Sequence, residues 1–235
     1  MTHQKAFDAS EYKRRLFKVK NQMNEKGFDM LICQDPANMC WLTGFDGWSF
    51  YTPQAVLVHS SEEWPIWFGR EQDAKSATMT TDIPESNIVP FSEPLVHHGT
   101  LHPFDELCDY IKLRKWERTR IGVDFDAHYF TARAHKHLYT GLPNAKISDN
   151  KELVNWARLI KSSSELKYMR EAGVICTNTM RHALDKIAPG VPQYEIIADI
   201  YKNQINGVDG KYGDYTGLCP LIQVGESTST PHLTW

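Results

Sequence analysis

The sequence holds no apolar run near the roughly 18 residues that a membrane-crossing helix requires, and Met1 to Asp8 contain no apolar signal segment. A membrane partner is therefore not expected. There is no surplus of either charge: the formal net charge is −3. Residues 1–158 carry 19 basic and 21 acidic side chains, and residues 159–235 carry 7 and 8. Without a basic face, nucleic acid and anionic lipid are poor partners. Cysteine is sparse. Five of them (Cys33, Cys40, Cys108, Cys176 and Cys219), an odd number with no Cys-x-x-Cys spacing, fit reduced thiols in a cytoplasmic protein better than a disulfide framework or a zinc site. Also missing are Gly-x-Gly-x-x-Gly, a Walker loop and Gly-x-Ser-x-Gly, which removes support for nucleotide binding and for a serine-nucleophile elbow. No repeat or low-complexity tract occurs.

Aromatic residues, by contrast, are crowded into one stretch. Five of the fourteen residues from Asn38 to Tyr51 are rings (Trp41, Phe45, Trp48, Phe50 and Tyr51), against 11% across the chain. Gly44, Asp46 and Gly47 interrupt the run, which places Phe45 to Tyr51 on a loop. Rings crowded on a loop are unusual, because loops lie at the surface. Two readings stand side by side. The loop packs against a neighbouring domain or subunit, or it forms an aromatic wall for a flat, cationic ligand held by the ring quadrupoles. Both hold if the loop enters another subunit's cleft.

The chain as a whole, 41% hydrophobic, is ordinary globular material. Asp8 to Glu11 has capping-box spacing and opens a helix that Gly27 closes. Phe28 to Cys33 reads as a buried strand and Met39 to Leu42 as a short second one. Gln54 to His59 and Glu63 to Phe68 form a predicted hairpin. A helix over Arg70 to Met79 and a strand over Asn87 to Phe91 follow. Then come a helix over His102 to Lys115, a strand over Arg120 to Asp124, a helix over Tyr129 to Tyr139 and a strand over Ala145 to Ser148. This alternation predicts an α/β domain of mixed sheet. Lys151 to Ile160 is a predicted helix leading out of it.

Ser163 to Ile187 is the longest predicted helix, with Leu166, Met169, Gly173, Cys176, Met180, Leu184 and Ile187 as its expected core stripe. Pro192 to Asn206 is a second helix, Asn206 to Gly217 a loop and Leu218 to Val224 a strand. Two helices and so little sheet bury little, and unpaired strands are exposed edges. The chain is thus expected to stop inside a second domain, and the 235-residue chain alone to show no turnover.

The segment Ile160-Lys161-Ser162-Ser163-Ser164-Glu165-Leu166-Lys167-Tyr168-Met169-Arg170-Glu171-Ala172 resembles the opening helix of the "pita-bread" catalytic domain of the creatinase/prolidase/methionine-aminopeptidase superfamily. The preceding residues resemble the creatinase-type N-terminal domain, an α/β domain with a ribonuclease-H-like mixed sheet. The implied organisation is that domain over 1–158 and the start of a pita-bread α+β domain over 159–235. Within the superfamily, Trp41 to Tyr51 and Thr230-Pro231-His232-Leu233-Thr234-Trp235 are most similar to the ectoine hydrolases. These open a cyclic amidine bearing a carboxylate to give N-acetyl-diaminobutyrate.

The resemblance implies a cytoplasmic homodimer whose N-terminal loop reaches the partner's site and whose substrate is an ectoine-like small molecule. It implies no cofactor and no metal. Phe50 matches a creatinase Phe that touches substrate across the subunit interface; Trp48 and Tyr51 are candidates by proximity. Where creatinases carry an Arg two residues later, this chain has Thr52, so that carboxylate contact does not carry over. His232 matches a proton-shuttling His. The superfamily leaves two other readings open, a prolidase-like metallopeptidase and a non-catalytic binding module.

Other clusters point to structure rather than chemistry. His97, His98 and His102 lie in a loop-like stretch without regularly spaced carboxylates. His135 and His137 are two apart on a predicted helix and face different ways. Asp124 and Asp126 read as turn-capping residues.

Overall fold

The computed structural model describes residues 5–212 and 216–233. It comprises two compact units, Met1–Ile160 and Lys161–Trp235.

The first unit is built on a six-stranded sheet flanked by helices on both faces. Its elements are α1 (Ala9–Lys26), β1 (Met30–Cys33), α2 (Pro36–Thr43), β2 (Ala55–His59), β3 (Ile66–Arg70), α3 (Glu71–Thr80), β4 (Ile88–Phe91), α4 (Pro103–Leu113), β5 (Arg120–Val123), α5 (Ala132–Gly141), β6 (Lys146–Asp149) and α6 (Leu153–Ala157). The strand order is β4-β3-β2-β1-β5-β6. β2 runs antiparallel to both neighbours, and the other pairings are parallel. The carboxyl ends of β1, β3, β4, β5 and β6 therefore share one edge with the start of β2.

Side chains alternate across this sheet. Met30 and Ile32 join Leu57, Phe68, Phe91, Phe104, Leu107 and Leu138 in one core. Leu31 and Cys33 join Leu16, Val19, Met23, Val56, Trp67 and Leu153 in the other. With both faces covered, β1 and β2 are buried throughout, which is why they read as continuous apolar runs. The predicted hairpin is present, with Ala55 opposite Phe68 and Leu57 opposite Ile66.

Four expectations are corrected. Residues 39–42, predicted as a strand, belong to α2. The Asp35 carboxylate accepts the Asn38 N–H at 2.9 Å, Pro36 sits at the first turn, and Gly44 closes the helix at φ 85°. Met39, Trp41, Leu42 and Thr43 are all buried, so the segment has no polar face from which to read a period. α1 begins at Asp8 without a side-chain cap; Glu11 instead binds Arg14 and Arg15. α5 starts later than expected, where the Thr131 hydroxyl caps the Ala134 N–H. α6 is only five residues long.

The second unit contains α7 (Ser163–Lys186) and α8 (Gln193–Asn206), with a short 3-10 turn at Gly225–Ser229. A capping box opens α7: the Glu165 N–H donates to the Ser162 hydroxyl, and the Ser162 N–H to the Glu165 carboxylate. The two helices meet through Ala183, Ile196 and Ile200, with Val191 and Ile222 against them. Lys186 pairs with Asp199 at 2.5 Å. Two further expectations fail here. Residues 218–224 form no strand; the pairing outside the main sheet is an isolated bridge between Val208 and Lys211. And the stripe predicted as core is solvent-facing: Met169, Met180, Leu184 and Ile187 are all more than half exposed. Period alone identifies an apolar face but not what covers it. Within the predicted 206–217 loop and the C-terminal motif, residues 213–215, Thr234 and Trp235 lie outside the described residues.

Candidate ligand-facing aromatic site

The loop from Gly44 to Gln54 enters the carboxyl edge of the sheet between α2 and β2, the edge at which open α/β sheets place ligands. Its first half is a structural anchor. Gly44 must take a left-handed turn, and a Cβ there would stand 2.6 Å from the Tyr12 hydroxyl. Phe45 is buried, with its ring edge-on to Trp67 at 5.2 Å, and its N–H donates to the Thr43 hydroxyl. Gly47 lies flat on that ring: a Cβ would come within 2.3 Å of it. Trp41 is buried too, its carbonyl accepting from the Arg15 guanidinium at 2.9 Å. Two of the five rings are therefore core.

The other three face outward. The turn from Ser49 to Thr52 is held from inside: the Ser49 hydroxyl donates to Gln54 at 3.1 Å, and the Thr52 hydroxyl and N–H both donate to the Ser49 carbonyl. Ser49, Thr52 and Gln54 are buried. Trp48 is 74% exposed and Tyr51 52%; Phe50 lies between them, partly covered. Ring centroids are 5.0 Å apart for Trp48–Phe50, 6.2 Å for Trp48–Tyr51 and 6.5 Å for Phe50–Tyr51. Thr52, which stands where creatinases have an Arg, is a buried pin of this turn.

A fourth ring completes the patch. Tyr129, from the β5–α5 connection, meets Phe50 at 5.3 Å. Its carbonyl accepts from Gln34 at the end of β1, at 3.4 Å. The sequence marked Tyr129 only as a helix start; its contact with Phe50 depends on β5 lying beside β1. Arg70, which ends β3, was likewise missed. It is clamped by Glu93 through Nε (2.8 and 3.0 Å) and Nη2.

His232 lies in the second unit, exposed, on the turn after the 3-10 segment. Among the described residues, no three His, Cys, Asp or Glu side chains form a group able to hold a metal, and no helix is long and apolar enough to cross a membrane. The clusters read as structural have structural partners. His98 accepts from the N–H groups of Thr100 and Leu101. His102 caps α4 by accepting from the Phe104 N–H. His137 pairs with Asp105 at 2.6 Å, and His135 stacks on Tyr139 at 4.1 Å. Asp124 accepts from the Asp126 N–H at 3.2 Å, and burial pushes its carboxyl above the ordinary range. All five cysteines are free; burial raises the thiols of Cys33 and Cys108 to about 12.

The fold defines an α/β domain of mixed sheet whose ring-bearing loop enters at the carboxyl edge. A model of the creatinase/prolidase N-terminal domain matches residues 15–160, and the chain belongs to that family. It is 40% identical to an ectoine hydrolase from Halomonas elongata over 235 residues, covering 97% of this chain and 59% of the relative. An uncharacterized hydrolase/peptidase from Sinorhizobium fredii is 40% identical over 227 residues, covering 96% of this chain and 58% of the relative. The chain thus spans about three fifths of the length of these curated relatives. Among solved structures, a prolidase from Thermococcus sibiricus superposes with a TM-score of 0.67 at 18% identity, over 86% of this chain and 52% of that one. An Xaa-Pro dipeptidase from Bacillus anthracis gives 0.63 at 20%, over 82% and 48%. These structures establish the likeness of fold: a creatinase-type N-terminal domain with a mixed sheet and flanking helices, followed by the start of a pita-bread region.

Proposed function

We propose that this chain serves a C–N hydrolase of the ectoine-hydrolase type, with its N-terminal domain supplying the ring wall for a flat, cyclic amidinium. One observation carries this reading: Trp48 and Tyr51 are exposed, with Phe50 partly covered between them, at the carboxyl edge on a turn whose Ser49 and Thr52 hydroxyls bond inward. A cluster of exposed rings is costly to keep in water unless something covers it. An amidinium spreads its charge over a planar N–C–N unit and is attracted to ring faces. The 40% identity to an ectoine hydrolase supports the same solute.

In this scheme water adds to the amidine carbon, the ring C–N bond breaks and the departing nitrogen takes a proton. An imidazole can both accept and return a proton and so serve both transfers, and that role falls to His232. The protein would act as a homodimer, with the ring loop of one subunit offered to the site of the other.

The test is a titration of the chain with ectoine, followed by proton NMR of the Trp48 indole. Ectoine is expected to shift that resonance, and Phe50→Ala to weaken the response several-fold with the fold intact. An Xaa-Pro dipeptide serves as the control. A Trp48 signal indifferent to ectoine, or one moved only by the dipeptide, overturns the reading.

A further inference from the structure

We propose that Arg70 is the carboxylate anchor of the aromatic site, so that rings and guanidinium together select a small zwitterion over a simple cation. This rests on the ring-wall reading above and adds a second point of recognition to it.

The placement comes from the sheet. The antiparallel register sets Ala55 opposite Phe68; carried two residues further, it sets Arg70 level with Pro53, next but one to Tyr51. Arg70 and the ring turn thus emerge at the same edge on neighbouring strands. The Arg70 charge is held more firmly chiefly by the hydrogen bonds that it donates to the Glu93 carboxylate.

The guanidinium is presented rather than free to wander. Its side chain is only 18% exposed, and Glu93 takes the Nε and Nη2 hydrogens along one side of the fork. No hydrogen bond reaches Nη1 among the described residues. The end of the fork, Nη1 with Nη2, remains available, and a planar fork of this kind matches a carboxylate in two-point geometry. Within the ring turn the Ser49 hydroxyl is committed to the Gln54 amide oxygen and the Thr52 hydroxyl to the Ser49 carbonyl. The loop's own charged residue, Asp46, has the wrong sign. Because Glu93 already balances the cation, the gain from a second carboxylate is modest, roughly tenfold in affinity.

The test uses the full chain and two probes: ectoine, and the same tetrahydropyrimidine ring without its carboxylate. The chain itself is expected to prefer ectoine by about tenfold. Arg70→Gln should erase this preference while binding the decarboxylated ring as before, and Arg70→Lys, which keeps the charge but not the fork, should restore part of it. Phe50→Ala should weaken both probes alike. A preference that survives in Arg70→Gln overturns the anchor and leaves the ring wall standing. If neither probe binds the unmodified chain, the ring wall fails and the anchor with it. An unchanged far-UV spectrum and Tm for Arg70→Gln separate a lost contact from a lost fold.

Discussion

The rings of Phe50 and Tyr129 meet at 5.3 Å with a 46° tilt, joining the connection after α2 to the connection after β5. Neither ring is a core residue, so the pair is a contact near the surface, with Phe50 partly covered. That distinguishes it from Phe45, five positions earlier, whose ring is sealed against Trp67.

Stability should divide along this line. Phe45→Ala is expected to cost about 3–5 kcal/mol, the range for emptying a buried aromatic site. Phe50→Ala removes a partly exposed ring pair and should cost about 1 kcal/mol. Urea unfolding of the two variants checks this; equal losses would show that Phe50 is a packing residue.

Gly47→Ala tests how the outward rings are aimed. The added Cβ would fall 2.3 Å from the Phe45 ring, and either the ring or the turn must move. A loss of about 1–3 kcal/mol is expected, together with a shifted Trp48 indole resonance. No change in either would show that the loop is not seated on Phe45.

Acid should loosen α4 through its cap. His102 must be neutral for Nδ1 to accept from the Phe104 N–H. Burial first, then His137 and Arg133, lower its pKa from 6.5 to about 4. The folded value lies below the unfolded one, so the unfolded chain takes up this proton first. The contribution is complete above about pH 6.5 and shrinks as pH falls towards 4, at up to about 1.4 kcal/mol per pH unit. His102→Asn keeps a capping acceptor without the titration. Its stability should fall less than that of the parent between about pH 7 and about pH 5; parallel curves would refute the cap's role. Because His59 is also lowered by burial, the difference between the two proteins is the quantity to read.

Thiol labelling should proceed in two classes. Cys176 and Cys219 are exposed, whereas burial lifts Cys33 and Cys108 to about 12 and Cys40 to about 11. Two thiols should react promptly with Ellman's reagent and three only on unfolding. Five prompt thiols would contradict the packing of the first unit.

The sequence made much of this legible. Strands β1 to β6 and their helices lie close to where periodicity and turn residues set them, because burial on both faces leaves long apolar runs bounded by Gly, Pro and Asp. What it concealed was contact between distant segments. α2 hides its period because Met39, Trp41 and Leu42 are all enclosed. Tyr129 joins the ring patch, and Arg70 comes to the same sheet edge, only through strand order, which no local spacing encodes. The α7 stripe was recognisable as apolar, but Met180 and Leu184 face solvent, and a helical period says nothing about its cover. The division of the aromatic run into two core rings and three outward ones rests on which hydroxyls fold inward at Ser49 and Thr52, a choice made by hydrogen bonds rather than by composition.

The reversed direction of β2 among its parallel neighbours has a consequence for how such a domain can diversify. A parallel strand in that place would oblige the polypeptide to travel the length of the sheet before re-entering it. A reversed one lets it turn back where it already is. The short arch between α2 and β2 can therefore change its side chains, and with them the solute it greets, while every layer beneath stays in register.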